Sequence, residues 1–434
     1  MRVLFVSLAS VQKENSSGNT FLNVFSGMEN IEFASVFLRA GESDASISQN
    51  FCITEKMLIK NLLGKGSAGM RIEAKSDSEK DVIAREKKLI RFMQGHRWTI
   101  FFLTQKLVWK LGRWRSKELK DFVEDFQPDI IFTFLSDMSF LNRLILHIQS
   151  LSKAKLVVYA WDNNYSLKRL MISPLKWFNH LLNRRVMKKV AEQADVMYVI
   201  SDVQKNDYEK AFQRKCKILT KSDAFLEQNQ DLKKYHTPLR LVFTGNIALN
   251  RWKSLAYIAN ALEKVNQDGI KAQLKIYTGS IITRKMRAAL QKGQSSLLMG
   301  SVSAEEVAEI QKDADLLIHV EAMDLKNKLR VRQSFSTKLV DYFHQAKCIL
   351  AVGPKEVASM DYLIKNDAAI TATTEQELEE KLKELIENPA LICEYGEKAW
   401  ECGKRNHQKE AMQMMLKEDF EEIIHESSAN QCGL

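Results

Sequence analysis

The chain has 434 residues, 45% of them hydrophobic and 27% charged, which fits a globular protein of two domains, or three. Its net charge of +10 and pI of about 9.1 point to anionic partners: nucleotides, nucleic acid or an acidic membrane surface. The six cysteines (Cys52, Cys216, Cys348, Cys393, Cys402, Cys432) form no C-x-x-C pair and no zinc spacing, which argues against a disulfide scaffold and fits a reducing compartment.

The first residues, "MRVLFVSLASV", carry one basic residue and a short apolar run, and read as a buried first strand over 2–9 rather than a signal peptide. No run reaches the ~18 apolar residues that span a bilayer, so a cytoplasmic protein is expected. "SSGNT" (16–20) reads as a loop with helix-capping residues. Residues 41–120 interrupt the rhythm and read as an insertion, with one or two long helices over 80–120. Further strands are expected at 128–135, 154–161 and 194–201, each a short continuous run of the kind found in parallel strands covered on both faces. Helical patterns lie at 115–126 and 174–193. Such alternation predicts a doubly wound α/β sheet.

The polar stretch "EQNQDLKKYHTP" (227–238) reads as a linker ending in Pro238. The alternation then restarts. Strands are expected at 240–246, 273–279, 296–300, 315–321, 348–353 and 368–373, with helices at 251–267, 283–292, 303–313, 336–346 and 375–387. A final helix over about 407–426 sets Met412, Leu416, Phe420 and Ile423 on one face. The expected organisation is therefore an N-terminal domain over 1–235, a second domain over 239–405 and a last helix over 406–426. Two open α/β domains leave a cleft at the carboxyl ends of their strands, where such folds bind ligands.

The chemistry-bearing residues gather at strand-to-helix junctions of the second half. "FTGNIALNRWKS" (243–254) has Gly245 for close backbone approach, then Arg251 and Lys253 near a helix start. "HVEAMD" (319–324) puts His319 and Glu321 at a strand end. "QSFSTKLVDYF" (333–343) places Ser336 or Thr337 at a helix N-cap, with Lys338 in the first turn, where the helix dipole disfavours a cation unless an anion sits there. A solvated surface lysine is the other reading. "DAD" (313–315) has the letters of a metal-binding D-x-D motif, but lies between a helix end and a strand and reads as structural. In the first half, Gly18 and Asn19 follow the first strand. Asp162 in "WDNN" (161–164) either orients an acceptor hydroxyl or caps a turn.

"QSFSTKLVDYFHQAKCILAVG" resembles the nucleotide-sugar site of GT-B glycosyltransferases of the retaining family-4 type, known from bacterial polysaccharide and glycolipid synthesis. "TGNIALNRWKS" resembles that family's glycine turn, and "ADVMYVISDVQKNDYEKAF" (194–212) the end of its N-terminal domain. The resemblance covers about 120–426 well, 1–40 loosely and 41–120 hardly at all. It implies two Rossmann-like domains facing a central cleft, with the final helix crossing back to the first. It further implies a nucleotide-sugar donor, UDP-linked, whose diphosphate is held by Gly245, Asn246, Arg251, Lys253, Ser336, Thr337 and Lys338. Asp341 would bind the ribose hydroxyls. Gly18 and Asn19 would lie on the acceptor side, and Gln333, Glu321 and Asp162 at the reacting centre. No metal and no other cofactor is implied. The acceptor would be a lipid-linked or polysaccharide hydroxyl. Gln333 stands where the family has its first motif glutamate. Either the donor sugar differs, or Glu321 takes over, or the chain is a degenerate, non-catalytic GT-B subunit that binds membrane or a partner enzyme. A nucleotide-sugar epimerase would need more acid/base groups than His319 and Glu321.

Residues 82–120 hold eleven basic residues against Glu86 and Glu118, interleaved with Trp98, Trp109 and Trp114. Residues 165–189 add seven basic residues and no acid, beside Trp177 and Phe178. Both segments fit an anionic membrane surface, and a core helix with a solvated basic face fits as well. No recognised nucleic-acid module accompanies them, and no nucleic-acid partner is expected. The expected location is peripheral, at the inner face of the cell membrane.

Overall fold

A computed structural model of the chain describes residues 1–13, 16–39, 41–72, 99–226 and 235–432. The first sheet contains β1 (Arg2–Ser7), β2 (Glu32–Phe37), β3 (Gln49–Cys52), β4 (Met70–Ile72), β5 (Ile130–Phe134), β6 (Lys155–Ala160), β7 (Val196–Val199) and β8 (Lys217–Ile218). Its order is β4-β3-β2-β1-β5-β6-β7-β8, parallel except for the antiparallel β3–β4 pair. The second contains β9 (Leu239–Thr244), β10 (Ala272–Tyr277), β11 (Ser296–Gly300), β12 (Leu316–Val320), β13 (Cys348–Val352) and β14 (Ile370–Ala372), in the order β11-β10-β9-β12-β13-β14, with parallel neighbours throughout. The inner strands are apolar on both faces because helices cover both. Ile130–Phe134, Leu316–Val320 and Cys348–Val352 are buried at every residue.

Both sheets wind outward from a first strand, then return to its other side. The reversal lies between β1 and β5 in the first sheet and between β9 and β12 in the second. At each reversal the loops leave in opposite directions and open a crevice beyond the strand ends.

Residues 49–72, within the segment read as an insertion, carry two strands of the first sheet. β3 and β4 extend the first sheet, and the helix Glu55–Leu62 is started by Thr54, whose hydroxyl accepts from the Met57 N–H at 3.3 Å. Their short strands and mixed polarity hid them. Residues 16–20 form the start of helix Ser16–Phe25 rather than a loop. The long-helix reading of 80–120 resolves into Thr99–Leu111 and Lys117–Phe126, and its portion over 73–98 lies outside the described residues, as do residues 227–234 of the linker. The final helix, Lys409–Cys432, buries Leu416, Phe420 and Ile423. It lies against the first half: Phe420 packs 6.2 Å from Phe25, and Asp419 accepts from Tyr198 and pairs with Lys217.

Candidate functional site

The crevice between β9 and β12 holds two cations. Lys338, at the start of helix Lys338–His344, donates from Nζ to the Thr244 carbonyl at 3.0 Å. The ammonium lies directly over Gly245, whose φ is +142°. A Cβ there would stand 1.6 Å from Nζ and would displace the ammonium, and the positive φ favours glycine. Arg251 begins helix Arg251–Val265 and reaches across to Glu321, just past β12. Its Nε and Nη2 donate to Oε2 and Oε1 at 3.0 and 3.1 Å, a two-point fork. Ser254 fixes the same turn by donating to the Glu321 carbonyl at 2.6 Å. The loop between Gly245 and Arg251 carries left-handed backbone at Leu249 and Asn250, a strained conformation for non-glycine residues of the kind that gathers at ligand sites.

Burial sets the charges. The Lys338 ammonium is pushed down to about 8 by desolvation and by Arg251, against the pull of Asp341 and Glu321. Burial raises the Glu321 carboxyl, and Arg251 and Lys338 oppose this. His319 is held neutral, down to about 3, by burial and by the same two cations. Its Nε2 lies 3.7 Å from Glu321 and has no hydrogen-bond partner. The arrangement is a positively charged recess with one buried polar nitrogen left unpaired.

Some expected site residues lie elsewhere or are already engaged. Gln333 does not face solvent: it is fully buried, its side-chain Nε2 donates to Asp207 of the first half, its backbone carbonyl accepts from Ser201 Oγ at 2.7 Å, and its side-chain Oε1 has no hydrogen-bond partner. Arg332 also pairs with Asp207. An amide at 333 donates to Asp207, where a second carboxylate would repel it. Asp341 is paired with Lys221 from the first half, so its carboxylate is already engaged. Neither Ser336 nor Thr337 caps the helix: Thr337 has helical backbone and no side-chain cap bond, and the Ser336 N–H donates to Ser359 Oγ at 2.9 Å. Lys253 is exposed and extends over the Trp252 ring at 5.9 Å instead of joining Arg251. Asn246 is exposed and its side chain accepts from the Ala248 N–H at 2.6 Å. Gly18 is buried and Asn19 exposed in the first turn of Ser16–Phe25. Asp313 and Asp315 bind Arg240 and His236, which occupies the D-x-D letters.

Asp162, after β6, faces the second half across the cleft, where Ser334 Oγ donates to it at 3.4 Å. It reaches solvent within a recess that limits its hydration. Desolvation pushes its carboxyl up and nearby Asp137 adds to this, while Ser334, Arg169 and Arg330 pull it down. Next to it, Asn163 donates to the Leu329 carbonyl at 2.8 Å. Sequence reasoning missed Asp207, Lys221 and Asp137. Asp207 and Lys221 act only across the interface, and a single sequence carries no signal for such pairings.

No protein-family model matches the chain, and no curated protein matches it. Solved structures do match in fold. Anabaena HepE in complex with UDP superposes with a TM-score of 0.63 at 11% identity, over 97% of this chain and all of that one. Sucrose-phosphate synthase from Thermosynechococcus elongatus gives 0.58 at 10% identity, covering 98% and 99%. TarM gives 0.53 at 13% identity, covering 70% of this chain and 57% of its own. The fold is GT-B, two Rossmann-like α/β domains facing a central cleft.

Proposed function

We propose that the chain is a glycosyltransferase that moves a sugar from a nucleoside-diphosphate donor to an acceptor hydroxyl. The observation that carries this reading is the pair of cations, Lys338 and Arg251, at the β9/β12 reversal beside a glycine that leaves the backbone open. HepE, similar in fold, has been solved with UDP and with UDP and glucose, which supports a UDP-linked donor.

In the reaction the bond from the anomeric carbon to the phosphate oxygen breaks and its electron pair leaves with the diphosphate. Lys338 and Arg251 stabilise that charge as it develops, so the proposal invokes no metal ion. The acceptor oxygen forms the new bond, and its proton passes to the Asp162 carboxylate or to a phosphate oxygen. A raised carboxyl makes Asp162 the better base. Glu321 holds the Arg251 fork in place. Hexosyl transfer, retention at the anomeric carbon and a lipid-linked or polysaccharide acceptor rest on the sequence resemblance. So do ribose binding by Asp341, which requires release from Lys221, and a bacterial source.

A second reading, a non-catalytic GT-B subunit, is favoured by one observation: the residue at the first motif position, Gln333, is buried and spent on Asp207. Thermal unfolding with a panel of nucleotides and nucleotide sugars separates the two. A ligand that binds the folded state raises its stability by RT ln(1 + [L]/Kd). A shift with one nucleoside diphosphate and its sugars, followed by product formation that Lys338→Ala abolishes, supports the transferase. No shift with any member makes the subunit reading the better one.

A further inference from the structure

We infer that the outer faces of helices Glu55–Leu62, Thr99–Leu111 and Pro174–Gln193 form one surface that docks on an anionic lipid bilayer. The inference stands on surface chemistry and is independent of the transferase reading.

Three contacts assemble the surface. Glu55 turns inward and accepts from Gln105 at 2.7 Å and Trp109 at 2.9 Å, joining the first helix to the second. Lys106 binds Asn179 and Asn183, joining the second to the third. Trp109 stacks on Phe140 at 4.9 Å beneath them. Trp109 and Trp114 are therefore core residues, and the aromatic residues expected at a membrane interface are not those two.

What remains outside is apolar. Among the described residues nineteen large hydrophobic side chains are exposed, and thirteen of them lie between Ile59 and Leu182, twelve on these helices and their adjoining loops and Met70 on β4. Leu63 is 68% exposed, Phe178 61% and Ile172 98%, with Leu107, Leu111 and Leu181 beside them. On the third helix Phe178, Leu181, Leu182 and Arg185 recur at steps of three and four, which is one face. A soluble monomer rarely gathers this many apolar side chains in one place.

The charge identifies the occupant. Residues 56–72, 99–116 and 163–191 contain fifteen basic residues and no acidic one. The one carboxylate of the first helix, Glu55, is spent on its neighbours inside. A second copy of this face would meet it cation against cation. A bilayer with anionic headgroups offers hydrocarbon to the leucines and negative charge to the lysines and arginines. The surface also adjoins the cleft. Asn183 donates to the Asp137 carbonyl, at the loop after β5, and Asp137 acts on Asp162. A hydroxyl presented at the membrane surface would meet the first-domain wall of the cleft.

The test uses the full chain and co-sedimentation with vesicles of phosphatidylcholine alone or with about 30% phosphatidylglycerol. The wild type should pellet with the anionic vesicles and release in salt. Phe178→Glu with Leu181→Glu should abolish pelleting while leaving the melting temperature unchanged, since both side chains are exposed. Lys176→Gln, Arg185→Gln and Lys189→Gln together should weaken partitioning by about fivefold per residue. This second variant keeps the inference testable if the first folds poorly. Failure of the wild type to pellet, or equal pelleting of all variants, overturns the inference. So does a wild-type dimer that the Phe178/Leu181 variant splits without any effect of lipid, which would assign the face to a second copy. UDP-dependent thermal stabilisation is read in the same samples, so loss of docking and loss of the donor site are distinguishable.

Discussion

The pH dependence of UDP binding tests the Lys338 assignment directly. The ammonium is held down to about 8, mostly by burial and by Arg251. A diphosphate in the recess favours the protonated form, so binding takes up a proton wherever the free protein has lost it. Affinity is therefore flat below 8 and falls above it. One ionisation of this kind predicts about a tenfold weaker Kd at about pH 9 than at about pH 7, because only about a tenth of the molecules then keep the ammonium. The phosphate's own last ionisation, near 6, is complete over this window. Lys338→Met should remove the slope and weaken binding by about 1.5–3 kcal/mol, the worth of a hydrogen bond to a charged group. Isothermal titration with UDP across this pH range reads both. Affinity independent of pH to about 9.5, or a Lys338→Met variant that binds as the wild type does, would refute the placement of a diphosphate on this lysine.

Three further outcomes follow from buried pairs. Gln333→Glu sets a second carboxylate against Asp207 and should cost about 2–3 kcal/mol in urea unfolding; adding Asp207→Asn, which exchanges donor and acceptor across the interface, should recover more than half. Arg251→Leu should cost about 3–5 kcal/mol by stranding Glu321, whose side chain is 3% exposed. Glu321→Leu should cost less, because the freed guanidinium is 27% exposed and can reach water; equal costs would count against the asymmetry. His407 is held neutral, down to about 4, by burial between the halves, where it meets Thr220 and Tyr362 at 3.0 Å. Its folded value lies below the unfolded one, so the unfolded chain binds the proton first. Stability falls as pH drops from 6.5 to 4, by about 3 kcal/mol from this residue. His407→Gln should flatten that part of a pH–stability curve.

The sheets were legible because their inner strands are covered on both faces, so strands such as 130–134, 316–320 and 348–352 read as unbroken apolar runs. Helices 174–193 and 375–387 were legible to the residue, since Pro174 and Thr374 mark their starts. β3 and β4 were not, being short and at the sheet edge. Lys338 and Arg251 were found as cations near glycine turns, and the fold brings those turns together. Gln333 and Asp341 were read as facing a ligand, whereas their partners Asp207 and Lys221 lie more than a hundred positions earlier in the chain. A pairing over that separation is a property of domain closure and leaves no local trace.

The final helix bears on the order in which the chain can fold during synthesis. Tyr198 and Lys217 belong to the first half, yet the carboxylate that satisfies both is Asp419, at the middle of the last helix. Phe25 likewise waits for Phe420. The first half leaves the ribosome early, but its outer strands stay unfinished until translation is nearly over. A nascent chain halted after residue 235 would expose that apolar seam to chaperones, whereas the second sheet can close soon after its own strands emerge. Expressing the halves as two separate chains would therefore work best with the last helix fused to the first half.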